Sequence, residues 1–380
     1  MTKKLCSKFL KRARDLLFYS VFALLTACNP HLERRADLVF INGAEPETLD
    51  PALITGQPEG RLANALFEGL LRFDENGRPE PGVAESFIIS PDQRTITFKL
   101  RGNALWSDGI PVTAHDFVYS WRRTLDPATG SAYSYLLYPI RGAEAFSTGA
   151  EPDFSKVGIR APDERTLVVE LENPTPYFLD LCAFTTLLPV RADVIEKFGD
   201  DWIKPGNIVN NGAFLLAEWR INDRVRLRKN PMYWDAENVR LETVDALPIS
   251  KAGTAFNFYV NGEADLLMDK GLAPPALLDE LRKRPDFHAS PFLGTYFLRF
   301  NTSRAPFDNP LVRRAFSHCV DREAIVRRIT RAGELPAGGL VPPGLAGYPP
   351  TKSSALGLKF DPETARALLA EAGFAGGKGM

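Results

Sequence analysis

The stretch Trp106-Ser107-Asp108-Gly109, Pro111-Val112-Thr113-Ala114, Asp116-Phe117-Val118-Tyr119-Ser120-Trp121 holds a turn, a helix start and an apolar helix face in that order. Ser107-Asp108-Gly109 is turn chemistry, with a glycine that tolerates positive φ. Thr113 ahead of Ala114-His115-Asp116 has the layout of a capping box, in which a hydroxyl and a carboxylate satisfy each other's free amides at the helix start. Phe117, Val118, Trp121 and Leu125 then fall on one face. Asp126-Pro127 closes the helix, because proline disfavours a helical residue before it. Trp106 and Trp121 are large apolar bodies suited to filling a core.

Working outward, the chain echoes itself once. Pro91-Asp92-Gln93-Arg94-Thr95-Ile96 and Pro162-Asp163-Glu164-Arg165-Thr166-Leu167 each turn into period-two alternation, Ile96/Phe98/Leu100 and Leu167/Val169/Leu171. Alternation of that kind reads as half-buried strand, and the echo predicts two similar strands in one sheet. Two further helices are marked near the end. Asn309-Pro310 opens one, with Val312, Ala315, Phe316, Cys319 and Val320 as its apolar stripe and arginines as its solvated face. Asp361-Pro362-Glu363 opens the other, and Gly373 ends it. Strands and helices mix without strict alternation, so the fold class is α/β in the broad sense.

The composition excludes several classes. Of 380 residues, 44% are hydrophobic and 24% charged, as in an ordinary globular protein. Forty-six basic and 47 acidic residues leave a formal charge of -1, which gives no long-range pull on nucleic acid. The start differs from the rest. Lys3, Lys4, Lys8, Lys11, Arg12 and Arg14 precede an apolar run over 16–27, and Cys28 follows. This is the layout of a secretory signal, too short to span a bilayer as a mature helix. Leu25-Thr26-Ala27-Cys28 resembles a bacterial lipobox, with Cys28 as the lipidated first residue; the alternative is a plain signal with a chance cysteine. Of the remaining thiols, Cys182 and Cys319 are expected to be buried and free. His31, His115, His288 and His318 show no metal-ligand spacing, and no Gly-x-Ser-x-Gly elbow occurs. Gly376-Gly377-Lys378 lacks the residue that would make it a phosphate loop. No catalytic residue, metal or cofactor is expected, and the chain is expected not to be an enzyme.

From Asn42 onward the chain resembles the oligopeptide-binding branch of the extracellular solute-binding proteins that serve ABC importers. The resemblance rests on an ordered set of motifs. These are Asn42-Gly43 with Thr48-Leu49-Asp50-Pro51, Leu66-Phe67-Glu68-Gly69-Leu70-Leu71, Pro81-Gly82-Val83-Ala84-Glu85-Ser86, the stretch quoted above, Pro205-Gly206-Asn207-Ile208-Val209, Asn211-Gly212-Ala213-Phe214, and Asn230-Pro231 with Tyr233-Trp234. It implies two lobes built from three domains, of mixed sheets flanked by helices. Residues 1–27 would be the signal peptide and 28–36 a lipid tether. Domain I would hold 37–66 and 192–293, domain II 67–191, and domain III, the second lobe, 294–380.

The resemblance also implies a function. A peptide is enclosed as the lobes close, its main chain paired with protein backbone and its side chains in roomy, hydrated pockets. The segment Thr55-Gly56-Gln57-Pro58, continuing into Glu59, would supply main-chain contacts, and Tyr133 an aromatic surface. Phe292 and Phe297 stand where relatives carry pocket tyrosines, and they lack the hydroxyl. Thr55 stands where an acidic residue can occur, and Gly294 where a disulfide cysteine can. The alternatives are that Tyr133 is core and the two phenylalanines strand interior. The implied partners are an oligopeptide, ABC permease subunits and, through the lipid, a membrane. A monomer is expected, exported to the periplasmic or cell-surface face. Competing readings are the same scaffold binding a dipeptide, murein peptide, nickel chelate or haem, or a non-transport chaperone or receptor. Relatives of this branch continue past the position of Met380, so the resemblance also implies an incomplete second lobe, weak or absent peptide affinity and domain II as the best-formed part.

Overall fold

The computed structural model describes residues 34–380 apart from 270, 291, 346, 347 and 349–358. The signal segment and Cys28 therefore lie outside the described residues. The chain divides into two compact units, Met1–Asp269 and Lys270–Met380.

In the first unit, an apolar run forms β1 (Leu38–Ile41), and three of its four residues are buried. β1 pairs in parallel with β10 (Thr243–Leu247) and β11 (Leu266–Leu267). Parallel partners need long connections, and these are supplied by the intervening chain. β9 (Arg224–Lys229) runs antiparallel to β10 and to β8 (Phe214–Arg220), giving the order β11-β1-β10-β9-β8. A short hairpin joins β2 (Leu71–Phe73) to β3 (Pro79–Pro81).

A second, antiparallel sheet has the order β4-β5-β7-β6, formed by β4 (Ala84–Ile89), β5 (Thr95–Leu100), β6 (Ile159–Asp163) and β7 (Thr166–Glu170). The two echoed sequences become the neighbours β5 and β7, with Ile96 opposite Val169 and Phe98 opposite Leu167. Ile96, Phe98, Leu100, Leu167 and Val169 are buried, so the alternation marks the core face.

Helix α1 (Gln57–Leu66) follows β1, and α2 (Ala114–Leu125) packs on β6 and β7. The capping box at Thr113 forms: Asp116 Oδ2 accepts from the Thr113 amide at 2.7 Å. Phe117, Trp121 and Leu125 are fully buried, and Val118 is half-buried. Trp121 meets Phe117 and Phe178 edge to face and donates from Nε1 to the Leu187 carbonyl at 2.9 Å. Gly109 takes φ +87° in the turn before this helix.

The motif residues meet where α1 ends. The Gly212 amide donates to the Leu66 carbonyl at 2.8 Å. A Cβ on Gly212 would lie 2.5 Å from the Leu66 carbonyl carbon, so only glycine permits this approach. Asn211 brackets Glu68, accepting from its amide at 3.1 Å and donating to its carbonyl at 2.9 Å. The Glu68 carboxylate accepts from Tyr233 Oη and Trp234 Nε1, each at 2.5 Å, with Arg72 3.5 Å away. Arg101 lies 3.8 Å over the Trp234 ring. Sequence segments far apart are thus pinned to one short stretch, and the motifs act as scaffold.

In the second unit, α3 (Pro310–Cys319) and α4 (Pro362–Glu371) pack through Ala315, Ala365 and Leu368. The caps are those marked in the sequence: Asn309 Oδ1 accepts from Leu311 N at 2.9 Å, and Asp361 Oδ1 from Thr364 N at 3.0 Å. Phe300, Phe307 and Phe316 form an aromatic cluster with centroids 5.0 to 6.0 Å apart. Two expectations are corrected here. Cys182 is buried, but Cys319 is exposed, because it is the last residue of α3, one turn beyond the Ala315 contact. Phe292 and Phe297 are not strand interior: residues 292–300 form no strand, and the two side chains are 59% and 50% exposed.

Candidate ligand-binding site

The candidate residues of the first unit sit where a tight turn feeds α1. The Asp50 carbonyl accepts from the amides of Leu53 at 2.9 Å and Ile54 at 3.1 Å. Its side chain closes the same turn, with Oδ1 accepting from Ala52 N at 3.0 Å. Ile54 is buried and anchors the turn to the core. Thr55 is then exposed, and Gly56 is extended at φ -101°, ψ 158°. The helix begins at Gln57 with proline in its first turn, a position where the missing amide costs nothing. The first-turn amides of Gln57 and Glu59 have no acceptor within the helix. Gly56 is extended and can pair in strand-like fashion, while Gln57 and Glu59 carry the helix-start amides.

Glu59 underpins this start. It is buried, its Oε1 accepts from Glu47 N at 3.1 Å, and its Oε2 has no hydrogen-bond partner. A Cβ on Gly56 would lie 2.1 Å from that Oε2, so the glycine lets the carboxylate fold beneath the chain. Asn42 Nδ2 donates to the Pro58 carbonyl at 3.0 Å. Arg61 in turn donates to the Asn42 side chain and carbonyl, at 2.8 and 2.6 Å.

Tyr133 is brought to this segment from 78 residues away. Its hydroxyl donates to the Thr55 carbonyl at 3.3 Å. The ring is half-buried, packed edge-on against Phe184 and Tyr135 at 6.0 and 6.1 Å. Tyr133 is therefore not a core residue, and Tyr135 beside it is 54% exposed. Together they present aromatic surface next to extended backbone, an arrangement that suits a polypeptide ligand.

Phe292 and Phe297 belong to the second unit. The Phe292 ring covers Gly294, where a Cβ would lie 2.3 Å from a ring carbon. Arg299 lies over the Phe297 ring at 5.6 Å. Among the described residues, no group of three or more histidine, cysteine or acidic side chains is placed to hold a metal ion.

Sequence reasoning missed Asp50, Glu59, Arg123 and Phe184 as supports of this segment. Asp50 was noted only as part of a motif that carries the resemblance, and its ion-pair partner lies 73 residues away on α2, which no local pattern reveals.

The comparisons with known proteins agree with one another. A sequence profile described as bacterial extracellular solute-binding proteins, family 5 Middle, matches residues 78–380. The periplasmic oligopeptide-binding protein OppA of Escherichia coli (strain K12) is 42% identical over 353 residues, covering 91% of this chain and 64% of that protein. The chain thus spans less than two thirds of that relative's length. A periplasmic oligopeptide-binding protein from Borrelia burgdorferi superposes with a TM-score of 0.84 at 34% identity, covering 91% of this chain and 68% of that one. Haemophilus influenzae OppA in complex with RPPGFSPFR superposes with a TM-score of 0.78 at 35% identity, over 90% of this chain and 67% of that one.

Proposed function

This chain belongs to the bacterial extracellular solute-binding proteins of family 5, and on that premise we propose that it is the substrate-binding component of an ABC importer for oligopeptides. The observation that carries this reading is the wall formed by Thr55, Gly56 and Tyr133. Extended backbone, helix-start amides and half-exposed aromatic rings converge there. Main-chain pairing recognises any peptide, whatever its sequence, and aromatic faces add apolar contact. The family captures solutes and does not transform them, so nothing in the reading calls for catalysis.

The finer parts of the reading follow. Cys28 would carry lipid and hold the protein on the periplasmic or cell-surface face, near its permease. Residues 37–66 with 192–293, 67–191 and 294–380 would be its three domains. Thermal-shift screening with a mixed peptide pool tests the ligand class. A ligand at about 100 times its dissociation constant adds ~2.7 kcal/mol to stability, so a clear rise in midpoint is expected. An unchanged midpoint across the pool, with a rise for a non-peptide solute, would reassign the ligand. Unchanged membrane association in Cys28→Ser would remove the lipid anchor.

A further inference from the structure

The loop that leads into the candidate wall is fastened at both ends to one part of the molecule. At its start, the Asp50 carboxylate meets the Arg123 guanidinium in a two-point contact, Nη1 to Oδ1 at 2.9 Å and Nη2 to Oδ2 at 2.6 Å. The side chains are 5% and 19% exposed, so water screens the pair little. At its end, the Thr55 carbonyl accepts from Tyr133, which follows α2 in the chain. Arg123 lies in the last turn of α2, whose other face carries Phe117 and Trp121 into the core. The loop is thereby tied to a rigid element.

Asp50 joins two tasks in one carboxylate. Oδ1 both closes the turn onto Ala52 N and takes one arm of the guanidinium fork. Planar two-point contacts fix direction as well as distance, which a lysine ammonium cannot reproduce. The turn geometry over 50–54 sets the direction in which Thr55 and Gly56 leave it. Holding that direction in advance reduces the ordering cost of binding.

We propose that Asp50 and Arg123 are positioning residues. Their ion pair holds Thr55, the extended Gly56 and the helix-start amides of α1 in place for the ligand main chain, without touching the ligand. The inference rests on the peptide-binding reading above. Its first test needs no ligand. Hydrogen exchange on the full chain is compared between the wild type and Arg123→Lys, which keeps the charge and removes the fork. The amides of Ala52, Leu53 and Ile54 should exchange about tenfold faster or more, as expected for loss of a charge-assisted contact. The amides of β5 and β7 should be unchanged. If Arg123→Lys does not fold, Asp50→Asn is read the same way, since its amide oxygen still serves Ala52 N. Unchanged exchange at 52–54, or an equal loss of protection throughout the first unit, would overturn the proposal. The second test uses the peptide pool. Arg123→Lys should raise the off-rate by about tenfold, with a smaller effect on the on-rate. A wild type that binds no peptide would refute the ligand class, while the exchange result would still decide the positioning role.

Discussion

The two units are built on different amounts of interior. The first carries a continuous core in which Trp106, Trp121, Phe67, Phe98, Phe117 and Phe178 are fully buried or nearly so. The second buries Leu272, Leu278, Leu281, Val312, Ala315, Ala365 and Leu368, while Leu293, Tyr296, Leu298, Ile329, Leu335 and Leu340 are all more than half exposed. Local signals are equally good in both. Thr113, Asn309 and Asp361 each cap the helix they precede. The difference teaches that capping and periodicity specify a helix, whereas its stability comes from what its apolar face meets. It also locates the candidate wall: Thr55, Gly56 and Tyr133 sit on the unit with the large core, and that rigid support makes two-point fastening through Asp50 and Arg123 effective.

Substitutions can break that contrast. The largest effect is expected in the first unit. Trp121→Ala empties a fully buried site and orphans the Leu187 carbonyl, so denaturant unfolding should show a loss of about 3–5 kcal/mol. Leu368→Ala in the second unit removes a side chain that is 8% exposed and has few buried neighbours. A loss near the lower end for such substitutions, ~2 kcal/mol, is expected, followed by exchange at α3 and α4. Equal losses at the two positions would erase the distinction between the units. Asn309→Ala removes only the cap of α3 and should cost about 1 kcal/mol, read as faster exchange in its first turn.

The smallest effect concerns pH. Burial pushes the Glu68 carboxyl above its ordinary 4.5, and the donors Tyr233 and Trp234 with Arg72 and Arg101 only partly offset this. The folded chain therefore holds this proton more tightly than the unfolded chain. The resulting stabilisation is complete below the ordinary value and is lost as pH rises through the raised one. Glu68→Gln, which cannot titrate, should flatten the decline in stability above pH 4.5 relative to the wild type. A parallel pair of stability curves would show that Glu68 is not the group responsible.

Much of this architecture was legible in the sequence because the signals were local. Ile96/Phe98/Leu100 and Leu167/Val169/Leu171 marked two core-facing strands, and the structure places them side by side. Cys319 misled, since helical periodicity puts it on the stripe but cannot show that the facing contact ends one turn earlier. The supports of the candidate wall were not legible for a different reason. Asp50 with Arg123, and Glu68 with Tyr233 and Trp234, are pairs separated by 73, 165 and 166 residues. Only the folded chain specifies such contacts, and no member stands out among the chain's 46 basic and 47 acidic residues or its aromatics. Tyr133 was recognised by resemblance, but its hydrogen bond to Thr55 required the structure.

The central claim is that Thr55, Gly56 and Tyr133 form a peptide-binding wall, and titration calorimetry tests it most directly. Peptides recovered from the pool screen are titrated into the full chain and into Tyr133→Ala. The wild type should release binding heat at a one-to-one ratio. Tyr133→Ala should bind more weakly by about 1–3 kcal/mol, with its unfolding midpoint close to that of the wild type because the ring is only half-buried. Equal affinity in the two proteins would contradict the account.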